Sequence, residues 1–186
     1  AYSGGFYDSV SGAKISDLNP LIWHYTDEIR ELNFNIIGSL DVDTANIGDE
    51  ETRNVLDITS GSGTTGLSID VSASEIIGLN PTLNFDLHVV SKKPSANSLL
   101  VSMISENGDQ GSKEYNFADM AVGEWVNFSI PIGDLVTNTS LDVKHVTSLM
   151  HLLIEGEANF YLENVSIKCV NSCLLYTSPS PRDGQI

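Results

Sequence analysis

Between Thr82 and Val89 the chain alternates strictly: Leu83, Phe85, Leu87 and Val89 are apolar, while Asn84, Asp86 and His88 between them are polar. Successive side chains of a strand point to opposite faces, so this phase predicts a strand with one face on a core and the other in water. A helix would scatter the same apolar residues around its circumference. The period recurs at residues 32–37, 53–58, 64–71, 98–105, 113–117, 124–130, 148–155 and 159–168. Turn chemistry separates these stretches, at Ser60-Gly61-Ser62-Gly63, Asn80-Pro81, Lys92-Lys93-Pro94, Glu106-Asn107-Gly108-Asp109 and Glu155-Gly156-Glu157.

Many short strands at even spacing predict an all-β fold, an antiparallel β-sandwich of jelly-roll type with one or two short helices. A chain of 186 residues needs only one core, because a domain of this size buries about 70% of its unfolded surface. The alternation marks residues 1–170 as that single domain. Asn19-Pro20 reads as an N-cap followed by proline at the first helical position, and Leu21, Tyr25, Ile29 and Leu32 follow at helical spacing. A helix is expected over 20–31, and a short turn over 131–136. In the last strand Phe160 and Leu162 share a phase, whereas Val165 and Ile167 take the opposite one. A bulge near Glu163 and Asn164 would return both pairs to the core.

Charge narrows the function. The chain has 25 acidic and 9 basic residues and a formal net charge of −16, which repels phosphate backbones and anionic membrane surfaces. Nucleic acid and membranes are not expected partners. Neutral polymers and cations remain. No apolar run reaches the roughly 20 residues of a membrane span, and no signal peptide is expected at the N-terminus. Cys169 and Cys173 are too few to define a disulfide framework. Acidity, few lysines and abundant Ser, Thr and Asn point to a secreted protein. Residues 171–186 are expected to lie outside the fold as a non-native or disordered tail, since the string LLYTSPSPRD resembles the translation of a library adapter.

The segment Gly123-Glu124-Trp125-Val126-Asn127-Phe128-Ser129-Ile130-Pro131-Ile132 precedes Asn159-Phe160-Tyr161-Leu162-Glu163-Asn164-Val165-Ser166-Ile167 by about thirty residues. Together they resemble the closing half of galactose-binding-like β-sandwiches, where a G-x-W-x-x-x-x-I-P-L strand comes before a final F-Y-[LIV]-D-N-[VI] strand. The likeness spans roughly residues 50–168 and is greatest to the accessory domain that follows the catalytic region in bacterial exo-β-glucan glucohydrolases. Such domains recur as carbohydrate-binding modules, so the resemblance implies sugar binding without catalysis. It also implies a structural calcium held by the acidic residue of the final strand. Here that residue is Glu163 rather than aspartate, with Asp8 as a second candidate ligand. The alternative is a solvated acidic edge, with no cofactor required.

Binding a pyranose takes a flat aromatic face for its C–H side and fixed polar groups for its hydroxyls. Trp23, Tyr25, Tyr115, Trp125 and Tyr161 are the candidate rings, with His24 as a neighbouring polar group. Trp23-His24-Tyr25 combines stacking and hydrogen-bonding groups outside the strands. Alternation puts Trp125 in phase with Asn127 and Ser129, hence outward, whereas the family resemblance implies a packing residue. His88 and His151 fall within strand patterns and read as sheet-face residues. Asp41, Asp43, Asp49 and Glu50 read as a solvated acidic loop, with calcium binding as the alternative.

For hydrolysis, paired carboxylates flanking a cleft are the usual requirement, and no strand pattern of a jelly-roll glucanase or alginate lyase is present. His24, His88, His145 and His151 lack metal-ligand spacing. The leading expectation is a non-catalytic carbohydrate-binding module for neutral plant or algal polysaccharide, with β-glucan favoured, fused to or associated with a glycoside hydrolase. A ligand-free accessory domain and a small jelly-roll hydrolase or lyase are the alternatives.

Overall fold

The computed structural model of the chain describes residues 6–7, 14–17, 33–47 and 54–177. Its strands are β1 (Phe6–Tyr7), β2 (Lys14–Asp17), β3 (Asn33–Ile37), β4 (Leu40–Asn46), β5 (Asn54–Ser60), β6 (Thr64–Lys92), β7 (Ser98–Ser105), β8 (Gln110–Asn116), β9 (Trp125–Pro131), β10 (Val146–Glu155) and β11 (Ala158–Thr177). Among the described residues, one helix, α1 (Ile132–Val136), and a 3-10 turn at Phe117–Asp119 interrupt them. No helix among the described residues is long and apolar enough to cross a membrane.

The alternating stretch around Phe85 is the second half of β6, and β6 serves both layers of the sandwich. Its first half lies between β3 and β10, in the registers Ser68↔Asn35 and Ser68↔His151, and β7 and β8 extend that layer beyond β10. Its second half lies between β9 and β11, in the registers His88↔Trp125 and His88↔Tyr161, and β5 and β4 extend the other layer beyond β11. All of these pairings are antiparallel. Because β6 passes from one layer to the other, hydrogen bonds link all eleven strands into one continuous sheet folded over a single core.

Apolar residues in the inward phase fill that core. Leu67 and Ile69 come from the first half of β6, Leu83, Phe85, Leu87 and Val89 from the second, and Val101, Leu152, Phe160 and Leu162 from the neighbouring strands; all are essentially inaccessible. Phe85 stacks on Phe128 at 4.9 Å, and Tyr115 closes the rim between β8 and β9 with a T-shaped contact to Phe128 at 4.9 Å. Burial pushes the Tyr115 phenol above its ordinary range. Gly111 allows α1 to lie directly on β8, since a Cβ there would fall 1.8 Å from the Leu135 carbonyl oxygen.

The expected bulge in the last strand is present. Register between β11 and β6 shifts between Glu163 and Ser166, Asn164 adopts φ 55°, and Phe160, Leu162, Val165 and Ile167 are all buried. The expected turn over 131–136 forms α1, and the expected helix over 20–31 lies outside the described residues. Asn80-Pro81 does not reverse the chain. Asn80 takes φ 51° and β6 continues through the pair, which lies between the two layers where Leu79 faces Val170 and Thr82 faces Lys168.

Asp41 and Asp43, read as part of an acidic loop, are the outward residues of β4, whose Leu40 and Val42 turn toward the core. Aspartate is a poor strand former, yet its charge suits an exposed edge strand because it discourages pairing with another chain. Asp49 and Glu50 lie outside the described residues. β11 runs on to Thr177, past the boundary that alternation marked at residue 170, pairing with β6 and β2. Cys169 and Cys173 form a disulfide across the register slip between Val170 and Leu174, and Cys173 and Leu175 join the core.

Candidate functional site

The outward residues of the layer β4-β5-β11-β6-β9 stand in rows across the strands, because paired residues of antiparallel strands share a face. One row reads Asp43, Asp57, Tyr161, His88, Trp125. Five strands at about 4.8 Å make it about 19 Å long. Its three rings converge. Trp125 lies 5.2 Å from His88, His88 stacks on Tyr161 at 5.5 Å, and Trp125 and Tyr161 are 6.5 Å apart at an interplanar angle of 30°. Adjacent strands alone would hold Trp125 and Tyr161 roughly 9.6 Å apart at the backbone. Both rings therefore lean over His88, whose Nδ1 is buried and has no hydrogen-bond partner.

Polar groups flank the rings. Asp86, two residues before His88, accepts from Asn127 Nδ2 at 2.8 Å and from Asn164 Nδ2 at 2.9 Å. Asn164 reaches Asp86 because the bulge turns its side chain outward, and it also donates to Glu163 at 3.3 Å. Beyond Tyr161, Asn159 Nδ2 donates to Asp57 at 2.6 Å and to Thr59 Oγ1 at 3.0 Å. Lys92 does not reach over the face, since its ammonium donates to the carbonyls of Phe117 and Met120. Asp43 and Asp57 stand directly opposite each other, as do Asp86 and Glu163, so the face carries a negative field.

Such a face can stack the C–H side of a sugar ring and hold its hydroxyls with carboxylates and amides already fixed by mutual hydrogen bonds. Of the candidate residues, Trp125 lies on it, as alternation required and against the packing role implied by the family resemblance. Tyr115 lies elsewhere, packed at the rim of the core. Trp23, His24, Tyr25 and Asp8 fall outside the described residues. His88 was legible only as a sheet-face residue. Its place between Trp125 and Tyr161 depends on cross-strand register, which one strand's pattern does not reveal.

Of the two expected ligands of a structural calcium, Glu163 and Asp8, only Glu163 is among the described residues. Calcium takes six to eight oxygen ligands, and the described residues contain no group of three or more His, Cys, Asp or Glu able to hold a metal. Glu163 is beside Asp86, whose two oxygens are already occupied by the amides of Asn127 and Asn164.

The fold is a two-layer antiparallel β-sandwich with an outward aromatic row, and it is similar to the fold of solved carbohydrate-binding modules. The sequence matches no family model and no curated protein. The fold has solved counterparts. A family 11 carbohydrate-binding module from Clostridium thermocellum, solved with a β-1,3-1,4-mixed-linked tetrasaccharide, is similar over 80% of this chain and 95% of its own, with a TM-score of 0.56 and 13% identity. The family 11 module of a cellulosomal cellulase of Clostridium thermocellum is similar over 87% and 97%, with a TM-score of 0.52 and 15% identity. An exo-β-agarase is similar over 74% of this chain, with a TM-score of 0.58 and 13% identity, and the match spans only 24% of its length.

Proposed function

We propose that the chain binds a neutral polysaccharide of the β-glucan class on the row Trp125, His88, Tyr161, and thereby holds an associated glycoside hydrolase on its substrate. The observation that carries this reading is the convergence of three rings on one outward face, with Asp86, Asn127, Asp57 and Asn159 beside them. The carboxylates favour hydroxyls over uronates or sulfates, because an anionic glycan would meet Asp43, Asp57 and Asp86, which have no cationic partner among the described residues. Two further observations support the setting: a related fold was solved with a mixed-linked β-glucan tetrasaccharide, and another is part of an exo-β-agarase. The Cys169–Cys173 disulfide suits a secreted protein in an oxidising compartment.

Affinity electrophoresis against laminarin, mixed-linkage glucan, xylan and alginate tests the reading. Retardation is expected on the β-glucans, little changed by salt, absent on alginate and lost in Trp125→Ala and Tyr161→Ala. Retardation that both variants retain would overturn the site, and no retardation on any polymer would leave a ligand-free accessory domain.

A further inference from the structure

The turn that joins β7 to β8 carries chemistry of another kind. It reads Glu106-Asn107-Gly108-Asp109, and Asn107 is the only asparagine of the chain that glycine follows. Two backbone hydrogen bonds close it: Gly108 N donates to the Ser105 carbonyl at 2.9 Å, and Ser105 N donates to the Asp109 carbonyl at 2.9 Å. Gly108 takes φ 86°, and a Cβ built on it would meet nothing within 4 Å. The four turn residues are exposed, whereas Ser105 just before them is buried.

Within this turn the Asn107 side chain is folded back. Its Oδ1 accepts from Ser105 Oγ at 2.6 Å and from the Asp109 backbone nitrogen at 3.0 Å. An asparagine oxygen bonded to the backbone two residues on brings its amide carbon beside the intervening peptide nitrogen, here that of Gly108. Glycine has no side chain to obstruct that nitrogen's approach. The two donors draw electron density from Asn107 Cγ, and they stand where negative charge would collect on Oδ1 if a nucleophile added to the carbon. Ser105 is held in place for this, since its Oγ also accepts from Asp142 N at 3.1 Å.

We infer that Asn107 is a modification site, at which the folded chain converts its own asparagine to aspartate and isoaspartate with water as the only co-reactant. The Gly108 nitrogen releases the Ser105 carbonyl, gives up its proton and bonds to Asn107 Cγ. The Cγ–Nδ2 bond then breaks, Nδ2 departs as ammonia with the proton that Gly108 lost, and a succinimide ring remains. Water opens the ring at either carbonyl. Opening at Cγ leaves aspartate on an unchanged backbone, and opening at the Asn107 backbone carbonyl leaves isoaspartate, with the chain routed through Cβ and Cγ. One water is consumed, one ammonia is released, and nothing is oxidised or reduced. Either product puts a new carboxylate between Glu106 and Asp109. The isoaspartyl form also lengthens the turn by a backbone atom, so the β7–β8 pairing loosens from its Ile104↔Gln110 end.

The test is to hold the purified, folded full chain in mildly alkaline buffer for weeks and follow it by peptide mapping, isoaspartyl methylation and released ammonia. Conversion is expected at Asn107, well ahead of Asn97, which serine follows, with ammonia matching the product. Ser105→Ala removes one donor from Oδ1 and should slow conversion roughly fivefold, the worth of an ordinary hydrogen bond. Ser105→Thr keeps the hydroxyl and should convert at the wild-type rate. Melting curves taken on the same samples report whether each variant is folded, and a variant that had merely unfolded would free the turn and convert no more slowly. Amide protection at Ile104 and Gln110 should fall as isoaspartate accumulates. An intact Asn107 in the folded wild type overturns the proposal, as does conversion no faster than at Asn97. A folded Ser105→Ala that converts at the wild-type rate overturns the part given to Ser105. Glycan binding has no place in the reaction, so its failure and the failure of this site are read separately.

Discussion

Replacing Tyr161 with alanine separates stacking from structure, because its ring lies on the outer face while its neighbours Phe160 and Leu162 hold the core. The fold loses one cross-strand aromatic contact, to His88 at 5.5 Å, and the longer approach to Trp125 at 6.5 Å. Such a pair is worth about 0.5–1 kcal/mol. For a domain of this size that lowers the melting temperature by roughly 1–4 °C. Binding should suffer more. Loss of one stacking surface costs about 1.5 kcal/mol, which is close to a tenfold rise in Kd. Tyr161→Phe keeps the ring, so its Kd should stay within about twofold of wild type unless the hydroxyl itself contacts sugar. Titration with a β-glucan tetrasaccharide gives Kd, and calorimetric melting gives stability. Tyr161→Ala binding at wild-type strength, or Tyr161→Phe as weak as Tyr161→Ala, would refute stacking as the source of affinity.

Other perturbations test the scaffold. Phe160→Ala empties a fully buried site beside Phe117 and should cost about 3–5 kcal/mol by denaturant titration. Gly111→Val drives carbon into the Leu135 carbonyl and should cost about 3 kcal/mol, with loss of amide protection in α1 as the local signature. Asn164→Gly keeps the left-handed backbone but loses the hydrogen bond to Asp86, for about 1 kcal/mol, whereas Asn164→Val adds about 1–2 kcal/mol of backbone strain. The folded pKa of His151 is below its unfolded value, so the unfolded chain binds the proton more readily. Stability should therefore fall as pH drops below about 6.5 and level off below the folded pKa, and His151→Gln should flatten that slope.

Local pattern alone determined most of the scaffold. Strict alternation of Leu83, Phe85, Leu87 and Val89 determined a strand and its buried face, because a period of two has one geometric meaning. The phase change after Leu162 determined the bulge, since no regular strand buries both Phe160 and Val165. The same reasoning aimed Trp125 outward, and it was the family pattern that pointed the other way. β4 was read as an acidic loop, because the aspartates of Leu40-Asp41-Val42-Asp43 suit a loop as well as an edge strand, and only pairing with β5 decides between them.

Tertiary structure decided what stands beside what. His88 and Tyr161 are 73 positions apart, and His151 and Ser68 are 83 apart (161 − 88 and 151 − 68), so both pairings depend on register across the sheet. Alternation sets which way a side chain points. Only hydrogen-bonded pairing, together with the passage of β6 from one layer to the other, sets its neighbours, and the chemistry of either face belongs to those neighbours.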